Sequence, residues 1–467
     1  MNRRNFLSHC ALGAAAVGFS PLRAQTKKSA RGRPPRILLR GSWQSVNIGD
    51  IGHTPGALNL IETHFPEAEV ILWPGRLGHG SQDFLTKAFP RLRIVDPLAG
   101  HDGTALFGDD GRPKSPELAK AWEEADVMIH GSGSGFGARA HLAAWHRATG
   151  KPYGVFGVST DPISGFGDGR DPEGGTLADL RARTEQQPRD HLDAETRWII
   201  DNASFMFTRE TLSRDYLRLQ GVRTPILEFG PDAQFGMHLR DDARGDAYRK
   251  QHDLQEGKFI CVIPRLRYTP YYQIRNEPRV QNDYVKDAIN ARTTEQDHAK
   301  LREMIIAYVR QTGNRVMACA EMTYQIPLAK EVLVDPLPAD VKKNVVWRDT
   351  YWLPDEAASI YSKAQAVVSV ECHSPIISLA NGTPAFYVRQ PTDTCKGQMY
   401  RDIGVNDWFF EVDETNGEQL WSRLEAIHRD PAKARAYAAA AMNRVRVLQR
   451  RMVTASRETA EAPIATS

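Results

Sequence analysis

The sequence predicts an α/β protein with two Rossmann-like domains. Its 467 residues exceed what one ordinary hydrophobic core holds, and short apolar runs alternate along the chain with helical patterns. Such alternation is typical of βαβ units and hence of a parallel sheet. With 41% hydrophobic and 25% charged residues, the composition is that of a globular protein and not of a disordered chain.

Two series of strands and helices follow one another along the chain. The first has predicted strands at 36–41, 69–73, 92–95, 127–130, 153–158 and 204–208, and helices at 55–64, 116–124, 139–149, 194–202 and 212–220. The second has strands at 259–264, 315–319, 345–348, 366–370 and 385–388, and helices at 295–311, 355–363, 374–380 and 417–428. The Gly-, Asp- and Pro-rich stretch between Ser159 and Arg189 is expected to be a long surface loop, and such loops are often functional.

These series define the expected domain organisation. Residues 1–35 form a leader, 36–236 the N-terminal domain, 247–430 the C-terminal domain and 431–467 a C-terminal helix, predicted to run to about residue 451, with its tail. The leader begins with Arg3 and Arg4, continues with a weakly apolar run and reaches a small residue at Ala24. This pattern is typical of a secretory signal, and the paired arginines indicate the twin-arginine type, which exports folded proteins. Cleavage near Ala24 and a periplasmic location are therefore expected; the alternative is a basic tail.

Charge and cysteine content exclude several classes of protein. The formal net charge is only +3, and because no block of like charges occurs, no nucleic-acid partner is predicted. The cysteines are scattered and show neither CxxC nor HExxH spacing, so the sequence predicts no metal site, and it predicts no cofactor. Cys261 and Cys319 lie in apolar runs and are expected to be small core residues. The disulfide status of these two, Cys372 and Cys395 stays open.

Two glycine-containing turns follow predicted strands. The first, 41–50, contains Asn47, Gly49 and Asp50 before a helix, where backbone N–H groups suit an anion or a sugar hydroxyl. It lacks a GxGxxG spacing and a P-loop lysine, and the alternative is a capping turn with Asp50 as the N-cap. The second, 131–135, has alternate glycines, which permit close approach of a ligand or tight packing.

Cationic side chains follow two further strands. Arg209 stands at a strand's carboxyl end, where open α/β sheets bind ligands, and its guanidinium can hold a carboxylate or phosphate. The alternative is a surface arginine paired with Glu210 or Asp215. Arg265 and Arg267, two residues apart after another strand, are expected to share one face and add positive charge.

The segment 371–373 is the third candidate at a strand end. His373 is expected at a helix N-terminus, where proton transfer or an anion contact is reasonable, and the alternative is a structural histidine. A Cys372–His373 nucleophile pair is disfavoured because neighbours in a strand point to opposite faces.

The order of these motifs resembles the polysaccharide pyruvyl transferase family over about 36–410. The matching elements are the N-x-G-D turn, the AD strand with its glycine-rich turn, a strand like 152–158, the R-[DE]-x-x-S helix start with a D-x-x-F echo, and the final H…A-x-x-x-G-x-P…K series. They lie at Asn47, Gly49 and Asp50; 125–135; Arg209, Glu210 and Ser213; Asp232 and Phe235; and His373, Ala380, Gly382, Pro384 and Lys396.

The resemblance implies two domains facing a cleft, in a glycosyltransferase-B-like arrangement, with the acceptor on the N-terminal side and the donor on the C-terminal side. It implies transfer of a pyruvyl ketal from phosphoenolpyruvate to a pair of glycan hydroxyls. His373 would act as acid or donor ligand, while Asn47, Gly49 and Asp50 would contact the acceptor, Asp50 also as a possible base. The cations Arg209, Arg265, Arg267 and Lys396 would hold the donor's carboxylate and phosphate.

The chain departs from the family's R-x-H motif because Glu371 stands in place of the arginine. A carboxylate there repels an anionic donor by a few kcal/mol, on the order expected at low effective dielectric. Two alternatives stay open. One is an exported hydrolase or lyase of modified polysaccharide with Glu371 as its acid. The other is a glycan-binding protein without catalysis.

Overall fold

A computed structural model describes residues 32–95, 106–160 and 172–463. Its described part contains two parallel sheets. The first sheet consists of β1 (Arg36–Gly41), β2 (Glu69–Pro74), β3 (Arg93–Ile94), β4 (Val127–His130), β5 (Tyr153–Val158), β6 (Phe205–Thr208) and β7 (Leu227–Phe229). The second consists of β8 (Phe259–Ile263), β9 (Arg315–Ala318), β10 (Val345–Trp347), β11 (Ala366–Ser369), β12 (Ala385–Arg389) and β13 (Phe409–Glu411).

Helices connect the strands of both sheets. In the first half they are α1 (Ile48–His64), α2 (Ser81–Ala88), α3 (Pro116–Glu124), α4 (Arg139–Thr149), α5 (Leu177–Glu185), α6 (Ala194–Asp201) and α7 (Thr211–Leu219). In the second half they are α8 (Asp242–Gln251), α9 (Tyr271–Arg275), α10 (Gln281–Thr312), α11 (Gln325–Ala329), α12 (Ala339–Lys342), α13 (Pro354–Lys363), α14 (His373–Ala380), α15 (Gln398–Asp402), α16 (Gly417–Arg429) and α17 (Pro431–Glu461).

Both sheets have a doubly wound strand order. The first runs β3-β2-β1-β4-β5-β6-β7 and the second β10-β9-β8-β11-β12-β13, with every pair parallel. The order reverses between β1 and β4 in the first sheet and between β8 and β11 in the second. Open parallel sheets bind ligands at the carboxyl ends of the strands beside such a reversal. The predicted α/β class is therefore confirmed, and each sheet contributes one such edge.

The structure agrees with most predicted strands and corrects several helix bounds. α1 begins at Ile48, not at residue 55, and α10 begins at Gln281, not at 295. The stretch 159–189 is not one loop, because α5 lies within it; its residues 161–171 fall outside the described part. Two short strands, β7 and β13, were not predicted; the residues of β7 are only partly buried.

The C-terminal helix α17 is longer than predicted and packs against both domains. Its first half contributes Ala438, Ala441 and Met442 to the core of the second sheet. Its second half contributes Met452 to the core of the first sheet, where Arg451 also pairs with Glu228 at 3.0 Å. The last helix thus joins the two halves of the molecule. Among the described residues, no helix is long and apolar enough to cross a membrane. The predicted leader signal lies largely in residues 1–31, outside the described part.

A partly buried imidazole beside the first sheet predicts a pH dependence. His141 Nδ1 accepts a hydrogen bond from Arg40 Nε at 3.1 Å, and its ring stacks on Trp73. Burial, aided by Arg40, lowers the pKa of His141 to about 3. In the unfolded chain its pKa is about 6.5, so the unfolded chain takes up a proton that the folded protein refuses.

The free energy of unfolding is therefore unaffected by His141 above about pH 6.5. Below that pH it falls, until the pH reaches the pKa of His141 in the folded protein. We expect the free energy of unfolding to decline more gently in a His141→Gln variant, by up to about 1.4 kcal/mol per pH unit. Guanidinium titrations of both proteins at pH 7, 6 and 5 measure this. If the free energy of unfolding fell with pH equally in both proteins, His141 would not be the cause of the pH dependence.

Candidate functional site

The candidate site lies where the amino end of α1 meets the carboxyl ends of the second sheet. Backbone hydrogen bonds join the two domains there: Ile48 N donates to Glu321 O at 3.0 Å, and Thr323 N donates to Val46 O at 3.0 Å. The loop after β9 therefore holds the turn after β1 in place. Side chains from α1, from the loop after β6 and from β8, β9, β11 and β12 converge at this junction.

The turn after β1 is capped by Asn47. Its side chain accepts a hydrogen bond from Gly49 N at 2.6 Å, so the alternative in which Asp50 is the N-cap is wrong. Asp50 lies in the first turn of α1 and is buried, and its carboxylate accepts a hydrogen bond from Gln44. Because Asn47 does the capping, the carboxylate of Asp50 is available to the cleft.

Gly49 brings α1 into direct contact with α14. A Cβ atom added at Gly49 would lie 2.2 Å from Cγ and Nδ1 of His373, far inside van der Waals contact. Glycine is required here because the His373 ring packs flat on the backbone of α1. This contact places the two domains at a fixed distance across the site.

A Gly49→Ala variant is expected to be destabilised by about 1–3 kcal/mol, as in other overpacked sites. The methyl group has to displace the His373 ring or separate α1 from α14. Chemical denaturation measures the loss, and Gly137→Ala is the matched control because an added Cβ there meets nothing within 4 Å. Equal stability of the two variants would show that the contact is not tight.

Arg209 is part of a buried ion pair. Its guanidinium is fully buried and donates to Asp232 at 3.0 Å and to Ser159 Oγ at 2.9 Å. The alternative of a surface arginine paired with Glu210 or Asp215 is therefore wrong. Asp232 also accepts a hydrogen bond from His53 Nδ1 at 2.7 Å, if that nitrogen carries the proton. Arg209, Asp232 and His53 form a continuous chain that ends beside His373.

His373 is oriented by a buried glutamate from the loop after β9. Its Nδ1 lies 2.9 Å from Glu321 Oε1, and the other oxygen of Glu321 accepts hydrogen bonds from the Ser374 backbone N–H at 2.7 Å and hydroxyl at 2.8 Å. The rings of His373 and His53 meet edge to face with centroids 5.1 Å apart. His373 thus stands at the start of α14, as predicted, with its Nε2 directed away from Glu321.

A second network surrounds Glu371. Its Oε1 accepts a hydrogen bond from Gln325 Nε2 at 2.6 Å and lies 3.3 Å from Arg265 Nε. Arg265 also pairs with Asp393 at 3.2 Å, and Asp393 pairs with Lys396 at 2.8 Å. The structure therefore places Arg265 and Lys396 beside the carboxylate that replaces the family's arginine.

Arg267 has different partners from Arg265. Its guanidinium forms a two-point pair with Asp297, with distances of 2.9 and 2.8 Å, and also contacts Asp413 at 2.5 Å. The expected common face of the two arginines is therefore wrong, because residue 265 and residue 267 lie beyond the regular part of β8. Arg267 ties α10 to the end of β13, and Arg265 faces the site.

Burial shifts the protonation of the central groups toward their neutral forms. It raises the pKa of Glu321 to about 7 in spite of the Ser374 hydrogen bonds, and the pKa of Glu371 to about 7 in spite of Arg265. Burial, together with His53, lowers the pKa of His373 to about 3. Near neutral pH the imidazole is therefore uncharged, and the two carboxyl groups are partly protonated.

The cysteines do not form a nucleophile at this site. Cys372 Sγ faces the Tyr400 hydroxyl at 4.0 Å, and burial raises the pKa of its thiol to about 12. Cys261 and Cys319 are buried in the second core, as predicted, and all four described cysteines are free thiols. The disfavoured Cys372–His373 pair is thus absent from the described site.

The site as a whole is closed and acidic. Five carboxylates and three permanent cations belong to it, and all of these residues are buried except Arg265, whose side chain is 11% exposed. They are Asp50, Asp232, Glu321, Glu371 and Asp393, with Arg209, Arg265 and Lys396. A sugar can touch these groups only when the two domains move apart, because the closed form leaves them almost no exposed surface.

Several of these residues were not singled out in the sequence as members of the site. These are His53, Glu321, Gln325 and Asp393, of which His53 and Asp393 lie only three residues from the motif positions Asp50 and Lys396. Glu321 follows β9 at the same edge of the sheet as His373, so its position after a predicted strand was the available signal. His53 had no such signal, because the helix around it was predicted to begin only at residue 55.

The fold and the site define a two-domain transferase-type α/β protein with a cleft between Rossmann-like domains. The family profile for polysaccharide pyruvyl transferase matches residues 47–390. This chain belongs to that family. No curated protein matches the chain in sequence.

Two solved structures share the arrangement of domains. An S. aureus MnaA–UDP co-structure has 9% identity, a TM-score of 0.52, and covers 88% of this chain and 94% of its own. A putative UDP-N-acetylglucosamine 2-epimerase from Listeria monocytogenes has 12% identity, a TM-score of 0.50, and covers 88% of this chain and 95% of its own. At such identities the likeness shows the fold alone, which is the predicted glycosyltransferase-B-like arrangement.

Proposed function

We propose that the protein transfers a pyruvyl group from phosphoenolpyruvate to two hydroxyls of a glycan, forming a cyclic ketal. The observation that carries the proposal is the group formed by Arg265, Lys396, Glu371 and the Glu321-bound His373 at the carboxyl edge of the second sheet. Family membership supports a glycan-modifying transferase, and this group supplies cations and proton-carrying side chains for the chemistry.

In the reaction, the donor's methylene carbon takes up a proton and its enol carbon becomes electrophilic. One glycan hydroxyl attacks that carbon, phosphate departs, and a second hydroxyl closes the ketal with loss of its proton. Each step needs either a proton carrier or a group that holds the donor's negative charge.

The C-terminal domain supplies the donor side. Arg265 and Lys396 would hold the donor's carboxylate and phosphate once the cleft opens. Both cations pair with Asp393, so each would contact Asp393 and the donor at the same time. His373, uncharged near neutral pH, would line the donor side of the cleft with the ring edge that Glu321 does not hold. Glu371, whose pKa burial raises to about 7, would deliver the proton to the methylene carbon. The acid that replaces the family's arginine thereby gains a role that arginine cannot perform.

The N-terminal domain would supply the acceptor side. Asn47 and Gly49 at the start of α1 would position the glycan, and Asp50 would accept the proton of an attacking hydroxyl. Arg209 would act through Asp232 and His53 and not by direct contact, because its guanidinium is fully buried. The leader implies export by the twin-arginine machinery, so the acceptor would be a cell-envelope or environmental glycan and the donor would have to be present there.

Incubation of the purified protein with phosphoenolpyruvate and a panel of envelope glycans tests the proposal. We expect phosphate release that depends on glycan, together with a pyruvate ketal visible by NMR on the product. Phosphate release without ketal, or neither in any mixture, would overturn the proposal.

The partly protonated Glu371 beside His373 also favours a second candidate, a hydrolase or lyase of modified polysaccharide. Release of reducing sugar or of an unsaturated product from the same glycans, without phosphoenolpyruvate, would identify that activity. Unchanged glycan together with measurable binding would identify a glycan-binding protein.

A further inference from the structure

Two imidazoles at the domain junction have the same unusual environment. Each ring is buried, and each has its Nδ1 beside a buried carboxylate: His53 beside Asp232 at 2.7 Å and His373 beside Glu321 at 2.9 Å. In each ring the Nε2 atom is buried and has no hydrogen-bond partner among the described residues. A carboxylate that accepts a hydrogen bond from Nδ1–H leaves Nε2 with a free lone pair, which is the form of histidine that ligates metals.

The two rings are close enough to share one ion. One nitrogen of His53 and one of His373 lie within 4.8 Å of each other, and an oxygen of Asp232 lies within the same distance of both. Asp50 Oδ1 is 3.7 Å from His53 Nε2. Two ligand atoms about 2.1 Å from a single zinc ion are separated by about 3–4 Å. The 3.7 Å spacing between Asp50 and His53 fits a coordination sphere, and histidine nitrogens within 4.8 Å of each other reach one after a small shift of the side chains.

The charge balance of the site favours a cation. Its five carboxyl groups outnumber its three permanent cations, so the groups already present can balance the charge of a bound cation. An unpartnered buried nitrogen costs about 1–3 kcal/mol, and two such nitrogens belong here to rings whose centroids lie 5.1 Å apart.

We propose that His53 and His373, through their Nε2 atoms, and Asp50, through its carboxylate, bind a divalent transition-metal ion of the zinc type at this junction. Asp232 and Glu321 then act as positioning residues that fix the tautomer and orientation of the two imidazoles. Three protein ligands leave a coordination position for an oxygen of a bound anion. The ion also supplies the positive charge lost where Glu371 replaces arginine.

The ligands come from α1, which ends at His64, and from α14, which begins at His373. Roughly three hundred residues separate the two helices. No short spacing motif therefore marks them, and the sequence predicted no metal. The inference goes beyond the proposed function and does not depend on it, because binding of the ion is measured without donor or glycan.

The test is a Co²⁺ titration of the chelator-treated protein, followed by its visible absorption. We expect one Co²⁺ per chain, displaced by Zn²⁺, with a d–d band typical of nitrogen and oxygen ligands. His53→Gln and His373→Gln are expected to abolish the band. His79 is an exposed histidine outside the ligand set, and its ring contacts Ser45. His79→Gln is therefore the control and is expected to bind normally.

Two further variants keep the test decisive if a histidine variant fails to fold. Asp50→Asn is nearly isosteric and is expected to weaken Co²⁺ binding, and Glu321→Gln is expected to weaken it about 10–100-fold through the orientation of His373. Absence of a stoichiometric band, or a band unchanged in Asp50→Asn and Glu321→Gln, would overturn the proposal.

Discussion

A His373→Gln variant is expected to lose pyruvyl transfer by about 10²–10⁴-fold, the range found for groups that act in a proton-transfer or donor-binding step. Glutamine retains a polar group that can reach Glu321 Oε1, now 2.9 Å from the imidazole, so the fold should survive. It does not provide the Nε2 lone pair on the cleft side. The measurement is the rate of glycan-dependent phosphate release at saturating donor.

The control for this variant is His79→Gln, which changes a cleft-edge histidine outside the network of Glu321. Its rate is expected to stay within a factor of about two of the parent, as is usual for substitutions away from the reacting groups. Equal rates for the parent protein and His373→Gln would remove His373 from the chemistry.

Removal of the Arg209 guanidinium is expected to cause the largest loss of stability. In Arg209→Met the carboxylate of Asp232, which is fully buried, loses its only permanent cation among the contacts described for it. Breaking one partner of a buried pair costs about 3–5 kcal/mol, because the remaining charge stays desolvated. Denaturation by guanidinium chloride measures the loss, with the fluorescence of the tryptophans that pack against the first sheet as the signal.

Arg91→Met is the matched control for that variant. Arg91 is exposed and pairs with Glu62 at 3.4 Å on the surface, where solvent screens the interaction. We expect its denaturation midpoint to stay close to that of the parent. If Arg209→Met were as stable as Arg91→Met, Asp232 would have to be protonated or resolvated in the folded protein, contrary to the described contacts.

The sheets could be predicted from the sequence because their strands are buried on both faces. Runs such as β8 and β11 are continuously apolar, and this pattern survives whatever packs around it. The strand β7 could not be predicted, since its three residues are only partly buried and have no such pattern.

The start of α1 could not be predicted because its residues hide the helical period. Gly49, Gly52 and Gly56 occur in its first half, together with Pro55, and glycine and proline are read as helix breakers. The structure shows why they occur: added Cβ atoms at the three glycines would collide with His373, Gln234 and Ala233. Close packing at the site, not helix propensity, determines this segment.

The sequence predicted the site residues that follow strands, but it did not predict the residues that pair with them. Arg209, Glu371 and His373 follow predicted strands, where parallel sheets place ligands. Glu321 and His53 complete the network only because two domains meet, and contacts between domains leave no spacing in the sequence. Arg209 and Asp232 belong to the same domain but follow different strands, β6 and β7, and no pattern in the sequence pairs them.

The most direct test of the central claim is whether the cleft binds phosphoenolpyruvate. The melting temperature of the purified protein is measured with and without millimolar phosphoenolpyruvate, and with the same concentration of phosphate as control. We expect a clear rise, since a ligand at 100 times its dissociation constant adds about 2.7 kcal/mol, and we expect His373→Ala to lose the rise. No rise in the parent protein, or a rise that phosphate reproduces, would contradict it.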